Sequence, residues 1–92
     1  MKVKLKCSGY LRDFFGQERE EVELPENSTV QDLLHWIEEH HASVFPPRVW
    51  DFEQHRFCDP VVLMVDGRAA AGNTTPLRES EEVVVLYPVA GG

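Results

Sequence analysis

No stretch of this sequence comes near the roughly 20 consecutive apolar residues that a membrane-spanning helix needs. The opening Met1-Lys2-Val3-Lys4-Leu5-Lys6 alternates charged and apolar residues, so it is not expected to act as a secretory leader. Cysteine is scarce. Cys7 and Cys58 are the only two, with no Cys-x-x-Cys pair, which excludes a secreted disulfide scaffold and points to the cytoplasm. Positive charge is short as well: 9 Lys and Arg against 16 Asp and Glu leave a formal charge of −7. That is the wrong sign for nucleic acid or an anionic membrane, so neither is expected as a partner, and basic protein surfaces are. Metal ligands are equally thin. His40 and His41 diverge by about 100° on a helix, and His55-Arg56-Phe57-Cys58 offers half of a tetrahedral site, so no metal is expected.

What is there is a chain of 92 residues, 42% hydrophobic and 27% charged, enough for one domain with a single modest core. Val3, Leu5 and Cys7 alternate with Lys2, Lys4 and Lys6, the period of a half-buried strand, which makes Cys7 a buried and inert thiol. A turn region from Ser8 to Gly16 follows, its apolar residues closing one end of the core. Gln17 to Leu24 reads as a second strand with Val22 and Leu24 inward; antiparallel pairing then sets Glu21 and Glu23 among the three lysines.

Pro25 to Thr29 breaks that strand and caps a helix, through Ser28 with Gln31 or Thr29 with Asp32. Val30, Leu33, Leu34 and Ile37 recur at i, i+3, i+4 and i+7, one apolar stripe to lay on a sheet, with Trp36 off the stripe. Between Ala42 and Pro60 periodicity is lost. Pro46-Pro47 forbids continuous helix, while Val44, Phe45, Val49, Trp50, Phe52 and Phe57 are too apolar for a free loop, so an ordered excursion with short helical turns is expected. Val61 to Val65 is a short buried strand, Asp66-Gly67 a hairpin signal, Arg68 to Ala70 a brief strand, and Glu82 to Tyr87 the last one.

After that strand comes Pro88, which has no N–H to continue a ladder, and then Val89-Ala90-Gly91-Gly92. Two closing glycines leave a carboxylate with no side chain near it, suited to a channel too narrow for a Cβ. Five residues at ~3.3–3.6 Å each reach roughly 16–18 Å beyond the domain, deep enough for another protein's active site. Gly92 is therefore the candidate reacting group, and Tyr87, Pro88, Val89, Ala90 and Gly91 are the candidate partner-binding residues. The apolar surface around the last strand, rimmed by Glu79, Glu81 and Glu82, is expected to dock the partner.

The order strand, strand, helix, strand, short strand, strand, with one helix stripe to bury on one sheet face, gives an α+β domain of the β-grasp type, its mixed sheet packed on one main helix. Its first and last strands would lie side by side and parallel. The chain resembles the ubiquitin-like sulfur carriers of the MoaD/ThiS type, and MoaD, the small subunit of molybdopterin synthase, most of all. The resemblance rests on Leu11-Arg12-Asp13 with Gly16, Glu21-Val22-Glu23-Leu24-Pro25, Thr29-Val30-Gln31-Asp32-Leu33-Leu34, Val65-Asp66-Gly67, Thr75-Pro76-Leu77, Glu81-Glu82-Val83 and Pro88-Val89-Ala90-Gly91-Gly92. It covers nearly the whole chain except the 42–60 excursion. Two positions depart from it: Tyr87 stands where such proteins often have a first proline, and Ser80 where they often have glycine.

The resemblance implies a single β-grasp carrier domain that holds out a tail, 88–92, and has no catalytic side chain of its own. Gly92 would be adenylated by a ubiquitin-activating-like adenylyltransferase using ATP, then converted to a thiocarboxylate with sulfur from a sulfur donor. The large subunit of molybdopterin synthase would be the partner in sulfur delivery. Carriers for thiamine or tRNA thiolation, a modifier joined through Gly92 to lysines of other proteins, and a plain interaction module share the pattern.

Overall fold

A computed structural model describes residues 1–7, 9–70 and 72–87 of the chain. Strand β1 (Lys2–Cys7) buries Val3, Leu5 and Cys7 and leaves Lys2 and Lys4 exposed, as its alternation requires. A 3-10 turn (Gly9–Leu11) then runs into a four-residue helix, α1 (Arg12–Phe15), where only a turn region was legible. Leu11 and Phe15 drop into the core, and Gly16 ends the helix at φ 80°, a left-handed conformation that glycine adopts without strain.

Strand β2 (Arg19–Glu23) pairs antiparallel with β1, Lys2 opposite Glu23 and Lys4 opposite Glu21. The expected charge ladder is only half formed. Among the described residues no lysine closes an ion pair, and Glu23 instead accepts from the Met1 amine at 3.2 Å. Holding two long exposed chains in one geometry costs about what it returns.

Helix α2 (Val30–His41) starts at Thr29, whose backbone N–H donates to Asp32 Oδ2 at 2.8 Å. Of the two capping pairs open in the sequence, this is the one formed; the Ser28 hydroxyl turns back to the Pro25 carbonyl at 2.6 Å. Val30, Leu33, Leu34 and Ile37 are the buried stripe, and Trp36 is half-buried with its ring stacked on His40.

The excursion is ordered, and it contains a two-stranded hairpin that its sequence does not announce. After a 3-10 turn (Ala42–Val44), β3 (Trp50–Asp51) pairs with β4 (Arg56–Phe57) as a small separate sheet. Phe45, Val49, Trp50 and Phe57 are buried, so the excursion enlarges the core. Val44 and Phe52 stay exposed.

Strands β5 (Val62–Val65) and β6 (Arg68–Ala69) form the hairpin marked by Asp66-Gly67, both at positive φ, 51° and 82°. Strand β7 (Glu82–Leu86) then enters the middle of the main sheet, whose order is β2-β1-β7-β5-β6. It runs parallel to β1 and antiparallel to β5. This is the expected β-grasp: a mixed sheet with α2 across one face and, among the described residues, no helix across the other.

Candidate functional site

Everything at the site follows from the placement of β7. Val83 and Val85 face α2 and are fully buried, so the alternate residues Glu82, Val84 and Leu86 lie on the open face of the sheet. Val84 is opposite Met64, and Leu86 is opposite Val62, which puts four apolar side chains on adjacent strands of that face. Leu86 is 39% exposed although it is one of the larger apolar residues in the chain. Lys6 and Lys4 of β1 flank the patch, aligned with Val84 and Glu82 respectively.

The acidic rim expected beside this patch is placed differently. Glu79 Oε2 accepts the Lys2 backbone N–H, and Glu81 Oε1 accepts that of Arg78, both at 3.0 Å, so two of the three carboxylates cap the turn into β7. That turn lies at the start of the strand, whereas the tail leaves from its end. Four residue steps of ~3.3 Å separate Glu82 from Leu86, roughly 13 Å. The acid rim and the tail root thus belong to opposite ends of the open face.

Of the candidate site residues, Tyr87 is described and Pro88, Val89, Ala90, Gly91 and Gly92 lie outside the described residues. Tyr87 continues the inward series of Val83 and Val85 and is half-buried. Its ring meets Tyr10 edge-on, with centroids 5.1 Å apart; Tyr10 in turn meets Phe14, also at 5.1 Å, and Phe14 meets Phe45 at 6.3 Å. The tail therefore departs from an aromatic row that joins the turn after β1 to the excursion.

The Cys7 thiol and three of the four histidines are occupied within the fold. Cys7 is buried and donates to the Gln17 carbonyl at 3.2 Å; burial, with Glu20 and Glu18 nearby, pushes its thiol up to about 11. A thiol so raised stays protonated at neutral pH and is no nucleophile. His41 bonds Glu20 at 2.9 Å, His40 the Trp36 carbonyl at 2.8 Å, and His55 both carboxylate oxygens of Glu38 at 2.8 Å. The Glu20–His41 pair was missed in the sequence. Its signal was present: Glu20 shares the inward phase of Val22, so it needed a partner at the core's edge. Among the described residues no cluster of three His, Cys, Asp or Glu side chains is arranged to hold a metal ion. None of the described helices is long and apolar enough to cross a membrane.

The ThiS family model matches residues 6–92. A protein from Pyrococcus furiosus described as a molybdopterin converting factor, subunit 1, is similar at 31% identity and a TM-score of 0.74, over 97% of this chain and 99% of that one. The small archaeal modifier protein SAMP1 of Haloferax volcanii superposes with a TM-score of 0.82 at 21% identity, over all of both chains. In a complex of subunits 1 and 2 of the molybdopterin-converting factor from Helicobacter pylori 26695, the matching chain has a TM-score of 0.67 at 16% identity, again over all of both chains. Among curated proteins none matches.

Proposed function

The chain belongs to the ThiS family of ubiquitin-like sulfur carriers, and on that premise we propose that it carries sulfur on Gly92 for molybdopterin formation. The observation that carries the pathway is the end-to-end similarity, at 31% identity, to the Pyrococcus furiosus molybdopterin converting factor subunit. Support for the chemistry comes from the sequence after β7, where Pro88 has no N–H to offer a ladder and Gly91-Gly92 follow.

In this reading the Gly92 carboxylate attacks the α-phosphorus of ATP in an adenylating enzyme, and pyrophosphate leaves. A carboxylate is a poor electrophile; the acyl-adenylate has a good leaving group. A hydrosulfide-level sulfur from the donor then adds to the acyl carbon, AMP departs, and a thiocarboxylate remains as a transferable nucleophile. The β-grasp domain supplies docking through Val62, Met64, Val84 and Leu86, and reach through the tail. Gly91 leaves the passage free of a Cβ.

The test is intact-mass measurement after incubation with the adenylating enzyme, ATP and a sulfur donor. One oxygen replaced by sulfur at Gly92 is expected, followed by return to the carboxylate when the converting-factor large subunit and a pterin precursor are added. A chain with one residue appended after Gly92 should not load. Loading without discharge to the pterin would move the reading to another sulfur pathway, and a ladder of lysine conjugates in cell extract would move it to protein modification. No loading of the native chain by a cognate adenylating enzyme would end it.

A further inference from the structure

Tyr87 is the last described residue before the tail, and what holds it is more elaborate than core packing demands. Its partner Tyr10 is half-buried, and the Tyr10 hydroxyl accepts a hydrogen bond from Arg48 Nη2. The Arg48 guanidinium carbon lies 5.5 Å from the Tyr10 ring centre. A phenylalanine at position 10 would fill nearly the same volume, so what the hydroxyl adds among the described residues is its bond to Arg48. Arg48 itself is exposed and, among the described residues, makes no ion pair, in a chain with 16 acidic residues available. Arg48 belongs to the excursion, Tyr10 to the turn after β1, and Tyr87 to the end of β7; three distant segments converge at the tail root.

We propose that Tyr10 and Arg48 are positioning residues that clamp Tyr87 and so fix the point from which the tail starts, which makes the 42–60 excursion part of the carrier's delivery apparatus. The proposal rests on the carrier reading above. Its physical content is preorganisation. A partner that takes up the chain end bears the entropy of fixing each residue that the carrier does not already hold, and a Tyr87 held in place is removed from that cost. Tyr87 stands where such carriers often have proline, a residue that restricts the backbone by its ring; here the restriction comes from contacts. Neither Tyr10 nor Arg48 touches the reacting carboxylate in this scheme.

Arg48→Ala, Tyr10→Phe and Tyr87→Ala test it, with Arg48→Lys as the conservative rescue that keeps a donor for the Tyr10 hydroxyl. Steady-state adenylation is expected to show a KM for the carrier raised roughly fivefold or more in the first three, the scale set by freeing one residue's backbone. kcat should move far less, and Arg48→Lys should restore most of the KM. In the free carrier, amide relaxation at Val89 and Ala90 should report larger amplitudes in Arg48→Ala and Tyr87→Ala than in the native chain, while Leu33 and Val83 stay as they are. Tyr10→Phe preserves packing, so a fold defect in Tyr87→Ala cannot carry the result. Native and variant carriers with equal KM and equal relaxation overturn the clamp. If the native chain is not adenylated at all, the carrier reading fails and relaxation alone decides: unchanged amplitudes overturn the clamp, increased ones support it.

Discussion

Glu38 and His55 are joined at 2.8 Å through both carboxylate oxygens, and the same carboxylate also accepts the Trp50 indole N–H at 3.4 Å. One side chain of α2 thereby holds β3 and the turn that leads from it into β4. His55 sits at φ 57°, the left-handed conformation that turns the chain between those strands and aims its ring back at the helix. The Glu38 carboxyl is held below its ordinary value of 4.5, first by the bond from His55, against the opposing effect of burial.

The first prediction follows from that sign. A carboxyl whose folded value is lowered contributes stability that is fully present above its ordinary value and is lost as pH falls through the lowered one. Hairpin release is therefore expected below about pH 4.5, ahead of the main sheet. The Trp50 indole proton, followed by NMR during an acid titration, should shift before the amides of Val83 and Val85. In Glu38→Gln the early step should vanish, with the hairpin loosened at neutral pH. Simultaneous loss of hairpin and sheet in the native chain would show that Glu38 is not the latch.

A second prediction separates the core from the tail. Leu34 is 2% exposed within the α2 stripe, so Leu34→Ala should cost about 2–5 kcal/mol in denaturant unfolding. Removing Gly91 and Gly92 should leave the midpoint where it was. A marked fall on tail removal would mean that the tail contributes to the fold, against the delivery role proposed for it.

How much of this was readable depends on where the information lies. Strands β1 and β7, the α2 stripe, the Asp66-Gly67 turn and the parallel pairing of first and last strands follow from local period and from one helix needing one sheet face. The β3–β4 hairpin did not, because each strand is only two residues long and its stability comes from Phe45, Phe57 and Glu38, residues brought together by tertiary packing. Helix α1 was hidden for the same reason: four residues carry no period. Cys7 was placed correctly by phase alone, whereas Glu20 has the same kind of phase and was passed over because it is charged. The tail was the most legible candidate in sequence and lies outside the described residues, while the aromatic row at its root was visible only in three dimensions.

The third prediction concerns Ser80, at φ 63° in the turn before β7. An L-residue in this conformation is strained by roughly 1–2 kcal/mol, part of which glycine returns in chain entropy. Ser80→Gly should stabilise the fold by about 0.5–1 kcal/mol, seen as a higher unfolding midpoint with an unchanged slope. Asn27, at φ 66°, tolerates the same region better, so Asn27→Gly should gain less. Equal gains at the two sites would show that chain flexibility and not local strain governs both.

The fourth prediction tests the open sheet face. Met64 lies on β5 beside the strand that leads to the tail and Leu86 is the last residue of that strand; neither is fully buried, so Met64→Glu and Leu86→Glu should fold with stabilities close to native. Docking is another matter. If the four-residue apolar patch is the centre of the interface, a carboxylate placed there is desolvated without a partner and should cost at least ~2 kcal/mol, a drop of about thirtyfold in affinity for the adenylating enzyme. Gln31→Glu, on the exposed face of α2, adds the same charge away from the patch and serves as the control. The kinetics should divide as well. The carrier's charge of −7 acts at long range, so its association rate should fall as ionic strength rises, whereas the patch variants should act mainly by faster dissociation. Surface plasmon resonance at low and moderate salt measures both. Association rates flat across salt would remove the electrostatic part, and patch variants that bind like Gln31→Glu would place the docking surface elsewhere on the domain.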